Sequence, residues 1–199
     1  MQRRKYRIGH YFHYYEAGVP LAPVDVLRKV PLFASLPSGE LQVFSELVRE
    51  KSYPKGSVIL FENDPGDSLF LVAGGQVKVV LIGEEGREVI LSVLGPGSFF
   101  GEMALIDDEP RSAHVIAMED SNLLVLRRED FQTRLRASPE VAIALLRELS
   151  HRLRRADEKI GSLVLLDVNG RVADLLLRMA DEEGGVRITR KSPTMSLPR

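Results

Sequence analysis

The sequence predicts an α+β chain: an antiparallel β-barrel or β-roll with flanking helices and one long C-terminal helix. Two observations predict it. Between residues 57 and 126, short apolar segments recur near 57–61, 68–72, 76–82, 88–94, 112–117 and 121–126. Turns separate them: Asp64-Pro65-Gly66-Asp67, Gly74-Gly75, Glu84-Glu85-Gly86 and Gly95-Pro96-Gly97. Closely spaced strands with glycine and acidic turns between them belong to antiparallel barrels and rolls. Further on, Leu146, Leu149, Leu153, Ala156, Ile160 and Leu163 follow at spacings of 3, 4, 3, 4 and 3. That is the narrow apolar seam through which helices pair.

The elements can be taken in order. Residues 1–20 hold Arg3, Arg4, Lys5, Arg7 and four of the five tyrosines, without periodicity. The expectation is a disordered N-terminal extension; a basic-aromatic arm that touches nucleic acid is the alternative. The roll and its helices are expected over 21–137. Val24 to Val30 reads as a helix stopped by Pro31, and a second helix follows Ser38 as N-cap, with Leu41, Phe44, Leu47 and Val48 on one face. After the strands, Arg127 to Arg136 reads as a short helix. Ser138-Pro139-Glu140 then opens the long helix, expected over 138–166, with proline at its first position. Its seam either pairs two chains or lies on the chain's own core; Arg152, Arg154 and Arg155 beside so narrow a stripe favour pairing. Asp167 is a plausible N-cap for a further helix carrying Val172, Leu175, Leu176 and Met179.

Composition narrows the chemistry. The chain of 199 residues is 44% hydrophobic and 28% charged, the balance of a soluble globular protein. A net charge of −1 supplies no overall field that selects nucleic acid or membrane. The absence of cysteine excludes disulfides, thiolate zinc sites and cysteine-ligated iron–sulfur clusters. No run approaches the roughly 18 apolar residues of a membrane span, so a cytoplasmic location without membrane contact is expected. His10, His13, His114 and His151 are scattered, and no Walker loop or nucleophile elbow occurs. Neither an enzyme nor a metal site is expected, and Asp107-Asp108-Glu109 reads as a solvated turn.

The most informative segment runs from Phe100 to Ala113. Gly101-Glu102 begins it, an apolar-then-acidic turn follows, and Arg111-Ser112-Ala113 ends it. Such a segment can hold a sugar-phosphate. A carboxylate accepts hydrogen bonds from ribose hydroxyls, and arginine offers phosphate a planar, permanently charged fork. Glycine beside the carboxylate lets backbone approach the ligand. This segment resembles the phosphate-binding cassette of cyclic-nucleotide-binding domains in the CRP/FNR family of bacterial regulators. The placement of Gly66, Gly75, Gly86, Gly97 and Gly101 also resembles that family's β-roll, which implies a double-stranded β-helix.

The resemblance implies roles. Glu102 would hold the ribose 2′-hydroxyl, and Arg111 and Ser112 would meet the cyclic phosphate. Gly101, Met103, Ala104 and Ala113 would line the cassette, and Val79, Leu91 and Leu94 would pack on the base. A ligand arginine is not core, so the fold is expected to stand without Arg111. Leu146, Leu149, Leu153, Ala156, Ile160 and Leu163 would form a homodimer axis. The ligand implied is cAMP, with cGMP behind it and a cyclic dinucleotide less favoured. Where cAMP-responsive activators carry two hydroxyl residues toward the adenine amine, this chain has Ala156 and Asp157. Asp157 can accept from an exocyclic amine; Ala156 can do nothing.

Leu166 to Ala173 resembles the family's hinge, and Val186 to Arg190 the strand before its helix-turn-helix. Lys191 to Arg199 has two prolines and no helical period. Residues 167–199 are therefore expected to be the remnant of a DNA-binding domain that lacks its recognition helix, with the chain truncated. Two functions follow: a dimeric cyclic-nucleotide-responsive regulator with an incomplete DNA-reading part, or a stand-alone binding and dimerisation module. On either, DNA binding by this chain is expected to be weak and salt-sensitive.

Overall fold

The computed structural model describes residues 14–16 and 19–182. Two four-stranded antiparallel sheets make the body of the protein. The first runs β3 (Arg49–Tyr53), β10 (Ser121–Arg127), β5 (Ser68–Gly74) and β8 (Phe99–Phe100), side by side in that order. The second runs β4 (Val58–Leu60), β9 (His114–Ala117), β6 (Val77–Ile82) and β7 (Glu88–Leu94). Phe70, Val72, Phe100 and Leu123 of the first sheet join Val77 and Val115 of the second in one buried cluster. The expected roll is thus two sheets face to face over a shared apolar interior.

β5 explains why the sequence 68–72 lacks alternation. Its first five residues are all buried. Phe70 and Val72 join the cluster between the sheets, and helix α4 (Arg128–Ala137) packs on β5 and β10. A strand covered on both faces needs apolar residues at consecutive positions. The predicted strand segments all form, within a few residues of their expected ends. Within these two sheets, two further strands, β3 and β8, have no predicted counterpart. β3 is Arg-Glu-Lys-Ser-Tyr, an edge strand paired with β10 alone and polar enough to escape an apolar search.

Helix α1 covers Pro23–Lys29 and α2 covers Ser38–Leu47. Ser38 does not cap α2. Pro37 holds the N-cap position, and the Ser38 hydroxyl instead accepts from Arg28 Nη2 at 3.1 Å. The four-residue α3 (Met103–Ile106) falls within the cassette segment and was not expected. Part of the 1–20 segment, expected without a packed element, forms a short ladder: β1 (Tyr14–Glu16) pairs antiparallel with β2 (Val19–Leu21). The rest of that segment, and the strand expected over 186–190, lie outside the described residues.

The long helix α5 spans Pro139–Leu165 and α6 spans Val168–Glu182. Asp167 caps α6 as its sequence suggested: Gly170 N–H donates to Asp167 Oδ1 at 2.7 Å. The chain divides into two compact units at Glu148/Leu149, inside α5. In the first unit the opening turns of α5 bury Val141, Ala144 and Leu145. No described helix is long and apolar enough to cross a membrane.

The rings of Phe70 and Phe100 stack 5.2 Å apart and 5° from parallel, joining β5 to β8 at the cassette's first residue. Phe70→Ala removes a buried ring that the interior cannot refill. A loss of about 3–5 kcal/mol in unfolding free energy is expected, measured by urea titration.

Candidate functional site

The cassette starts where β8 ends. Phe100 is fixed by the ladder to Phe70, and Gly101 then turns the chain with φ at +83°. Ten residues on, Arg111 returns to the roll. Its N–H donates to Asp64 O at 2.9 Å, and Asn63 N–H donates to Arg111 O at 2.8 Å. Ser112 and Ala113 then lead into β9, where His114 pairs with Val80 and Val115 with Val79. Both ends of the cassette are therefore tied to strands, and the loop between them has little freedom.

At its centre lies the Arg111 guanidinium, with a side chain 3% exposed. Nη1 donates to Gly101 O at 2.6 Å and Nη2 to Ser68 O at 2.8 Å; Asp67 Oδ1 stands 3.7 Å from Nη2. Nε is buried without a hydrogen-bond partner. Burial pushes the guanidinium below its ordinary pKa, and the Arg128 charge adds to this; Asp67 and Glu102 oppose it. The group stays charged at any working pH, so the burial acts as an attraction for a further anion or acceptor. Glu102 is also buried, at 3% exposure, beside the first turn of α3.

Two glycines make room for this cation. A Cβ on Gly101 would sit 2.7 Å from Arg111 Nη1, and one on Gly66 would sit 3.2 Å from Arg111 Cζ and 2.4 Å from the Ala104 Cβ. Arg111 is thus packed as tightly as a core residue. A ligand arginine was expected outside the core, and its burial corrects that; without the fork, the Gly101 and Ser68 carbonyls would lose these donors.

The other expected residues fall into place unevenly. Ala104 and Ala113 are buried; Met103 and Ser112 are exposed, and the Ser112 hydroxyl meets Met103 Sδ at 3.9 Å. Val79 and Leu94 pack on the buried cluster between the sheets. Leu91 is the extra residue of a β-bulge. Val79 faces Ser92 and Val80 faces Ile90, so the register skips Leu91, which stands 40% exposed. Asp157 is exposed on α5 in the second unit. Along the expected seam Leu146, Leu153, Ala156, Ile160 and Leu163 are exposed and Leu149 is half-buried.

Several residues of the site escaped the sequence reading. Asp67 and Ser68 come from a segment read only as a turn and a strand start, and Gly66 is marked in the sequence only for its place in the roll, yet all three wall Arg111. A cavity of about 330 Å³ lies on their side, lined by Arg111, Asp64, Asp67, Ser68, Tyr53 and Phe70 among others. Arg128 was read as a helix residue. Its signal was its position: a cation in a helix's first turn opposes the helix dipole, so it needs another reason to be there. Among the described residues no group of three or more His, Asp or Glu side chains could hold a metal ion.

Comparison with known proteins identifies the family and the fold. Residues 50–138 match the family described as the cyclic nucleotide-binding domain. The chain is 40% identical over 153 residues to the cyclic AMP receptor protein of Thermus thermophilus, covering 77% of this chain and 71% of that one. Among solved structures, the catabolite activator protein of Thermus thermophilus is 32% identical, with a TM-score of 0.61 over 80% of this chain and 91% of that one. The c-di-GMP-responsive global regulator CLP of Xanthomonas campestris is 25% identical, with a TM-score of 0.64 over 76% of each chain.

The tight fit around the guanidinium can be measured. Gly101→Ala carries a backbone cost of about 1–2 kcal/mol for the left-handed conformation, and in addition drives a methyl into Arg111. Gly86→Ala has φ at +73° and nothing within 4 Å of the new Cβ, so it carries the backbone cost alone. In urea titrations Gly101→Ala should lose more stability than Gly86→Ala. Equal losses would show that the guanidinium moves aside freely.

Proposed function

The chain belongs to the CRP family of regulators built on a cyclic nucleotide-binding domain, and from that premise we propose that it binds a cyclic mononucleotide in the 101–113 cassette and acts as a dimeric transcription regulator. The observation that carries this reading is the Arg111 guanidinium, buried beside a buried Glu102 and left with an unpartnered Nε. A cyclic phosphate would supply acceptors to that charge, Ser112 would add a hydroxyl, and Glu102 would accept from the ribose 2′-hydroxyl. Gly101, Met103, Ala104 and Ala113 would line the ligand, with Val79, Leu91 and Leu94 against the base. The effector is cAMP before cGMP, which fits the cAMP named for the Thermus relative. No catalytic step is assigned. A regulator of this kind would act in the cytoplasm, where its DNA is.

Ligand choice is tested by calorimetry with cAMP, cGMP and c-di-GMP. Binding of a cyclic mononucleotide is expected. Arg111→Lys keeps the charge but loses the fork and should weaken that binding by about 2–4 kcal/mol. Binding of c-di-GMP alone, or equal affinity in parent and variant, would remove the cassette assignment.

The dimer rests on α5. Leu146, Leu153, Ile160 and Leu163 leave more than half of each side chain in water. So much apolar surface along one stripe calls for a partner, and the heptad-like spacing fits a second copy of the same helix. Sedimentation at tens of micromolar, about the range for a specific interface, should show a dimer. Leu153→Glu would bring facing carboxylates into the seam and should give a monomer. A monomeric parent would refute the seam.

A further inference from the structure

Arg128 opens α4, the end of a helix least favourable to a cation. The acceptors it reaches all lie on other segments. Nε and Nη2 donate to Gly66 O at 2.9 and 2.5 Å, Nη2 also donates to Ala104 O at 2.8 Å, and Nη1 pairs with Asp108. Its backbone N–H donates to Asp67 O at 2.8 Å. One helical turn on, Gln132 Nε2 donates to Leu105 O at 2.8 Å. One face of α4 thus grips two segments at once: the Gly66-Asp67 turn and the body of the cassette.

Those two segments enclose Arg111. Gly66 abuts its guanidinium, Asp67 faces Nη2, and Ala104 abuts Gly66. Asp108, the pairing partner of Arg128, has φ at +60°, a left-handed conformation that aspartate tolerates at some cost. The ion pair links α4 to the cassette at that turn. Carbonyls at two points are best held by a planar fork; a single ammonium cannot span them in the same way.

We propose that Arg128 is the positioning residue of the phosphate site: its fork fixes the Gly66-Asp67 turn against α3 and thereby sets the place of Arg111. The proposal rests on the cassette reading above, and it concerns a side chain that would not touch ligand. Removing it should misplace Arg111 without removing any ligand contact.

The test is a double-mutant cycle on cAMP affinity, measured by calorimetry, with parent, Arg128→Gln, Arg111→Lys and the double variant. Thermal melts of each ligand-free protein accompany it. Arg128→Gln is expected to weaken binding by roughly tenfold or more, the scale for losing a group that orients a ligand-holding side chain. In the Arg111→Lys background the same change should cost much less, because the misplaced group is already gone. Arg128→Lys, with charge but no fork, should not restore parent affinity. If Arg128→Gln does not melt as a folded protein, the same cycle run with Arg128→Lys decides. Parent-like binding by the Arg128 variant, additive losses across the cycle, or full restoration by lysine would each overturn the proposal. A parent that binds no cyclic nucleotide would overturn the cassette reading itself, and this inference with it.

Discussion

A permanently charged group enclosed almost completely by protein is the constraint around which the first unit is arranged. Arginine cannot shed its proton to escape burial, as a lysine or a carboxyl group can. Every wall of its enclosure must therefore offer acceptors or stay out of the way. The Gly101 and Ser68 carbonyls and the Asp67 carboxylate do the first; the missing side chains of Gly66 and Gly101 do the second. These groups come from separate stretches of chain, and only the pairing of β5 with β8 and of β4 with β9 brings them together. The sheets serve the site by fixing where carbonyls point. The demand left over, at Nε, is the part of the charge that the protein does not answer.

How much of this was legible in the sequence depended on the scale of the signal. Six strands were found because each is a run of apolar residues between turn residues. The cassette was found because Gly101, Glu102, Arg111, Ser112 and Ala113 form a local string, and local strings survive without knowledge of the fold. Three kinds of element stayed hidden. β8 has two residues and α3 four, too short for any period to show. β3 is polar, and its place depends on its neighbour β10 more than on its own residues. The bulge at Leu91 depends on the register between two strands, which no single strand encodes. Arg128 and Gly66, 62 residues apart, belong to the same site through contacts that composition cannot announce.

The exposed apolar residues make a separate argument. Within the first unit, Val89, Ile90, Leu91 and Val93 of β7 and Leu81 and Ile82 of β6 face solvent. Within the second, Leu153, Ile160 and Leu163 do the same. Each such side chain forgoes part of the roughly 1.5–3 kcal/mol that burial of a fully exposed one would return. Single exposed leucines are ordinary, but grouped ones usually mark surfaces used in binding. The spacing along α5 is what turns this general statement into a specific one. A stripe at alternating steps of three and four suits a helix of the same kind and suits a flat sheet poorly.

In the proposed ligand site, affinity and selectivity would be carried by different groups, and this bears on how it could change. Phosphate and ribose would be met by Arg111, Ser112 and Glu102, all within one short stretch of the first unit. Those groups are common to every cyclic mononucleotide, so they fix the class of ligand and supply most of the charge-assisted contact. The base would be distinguished elsewhere, by apolar packing from β6 and β7. Apolar packing separates purines from one another weakly, since it senses area more than donor pattern. A hydrogen-bonding group separates them strongly, because a mismatch leaves a polar atom unpaired. A substitution on β6 or β7 would alter the preferred base at little cost to the phosphate contact, whereas one near Arg111 disturbs an enclosure in which two glycines, four carbonyls and two arginines fit together.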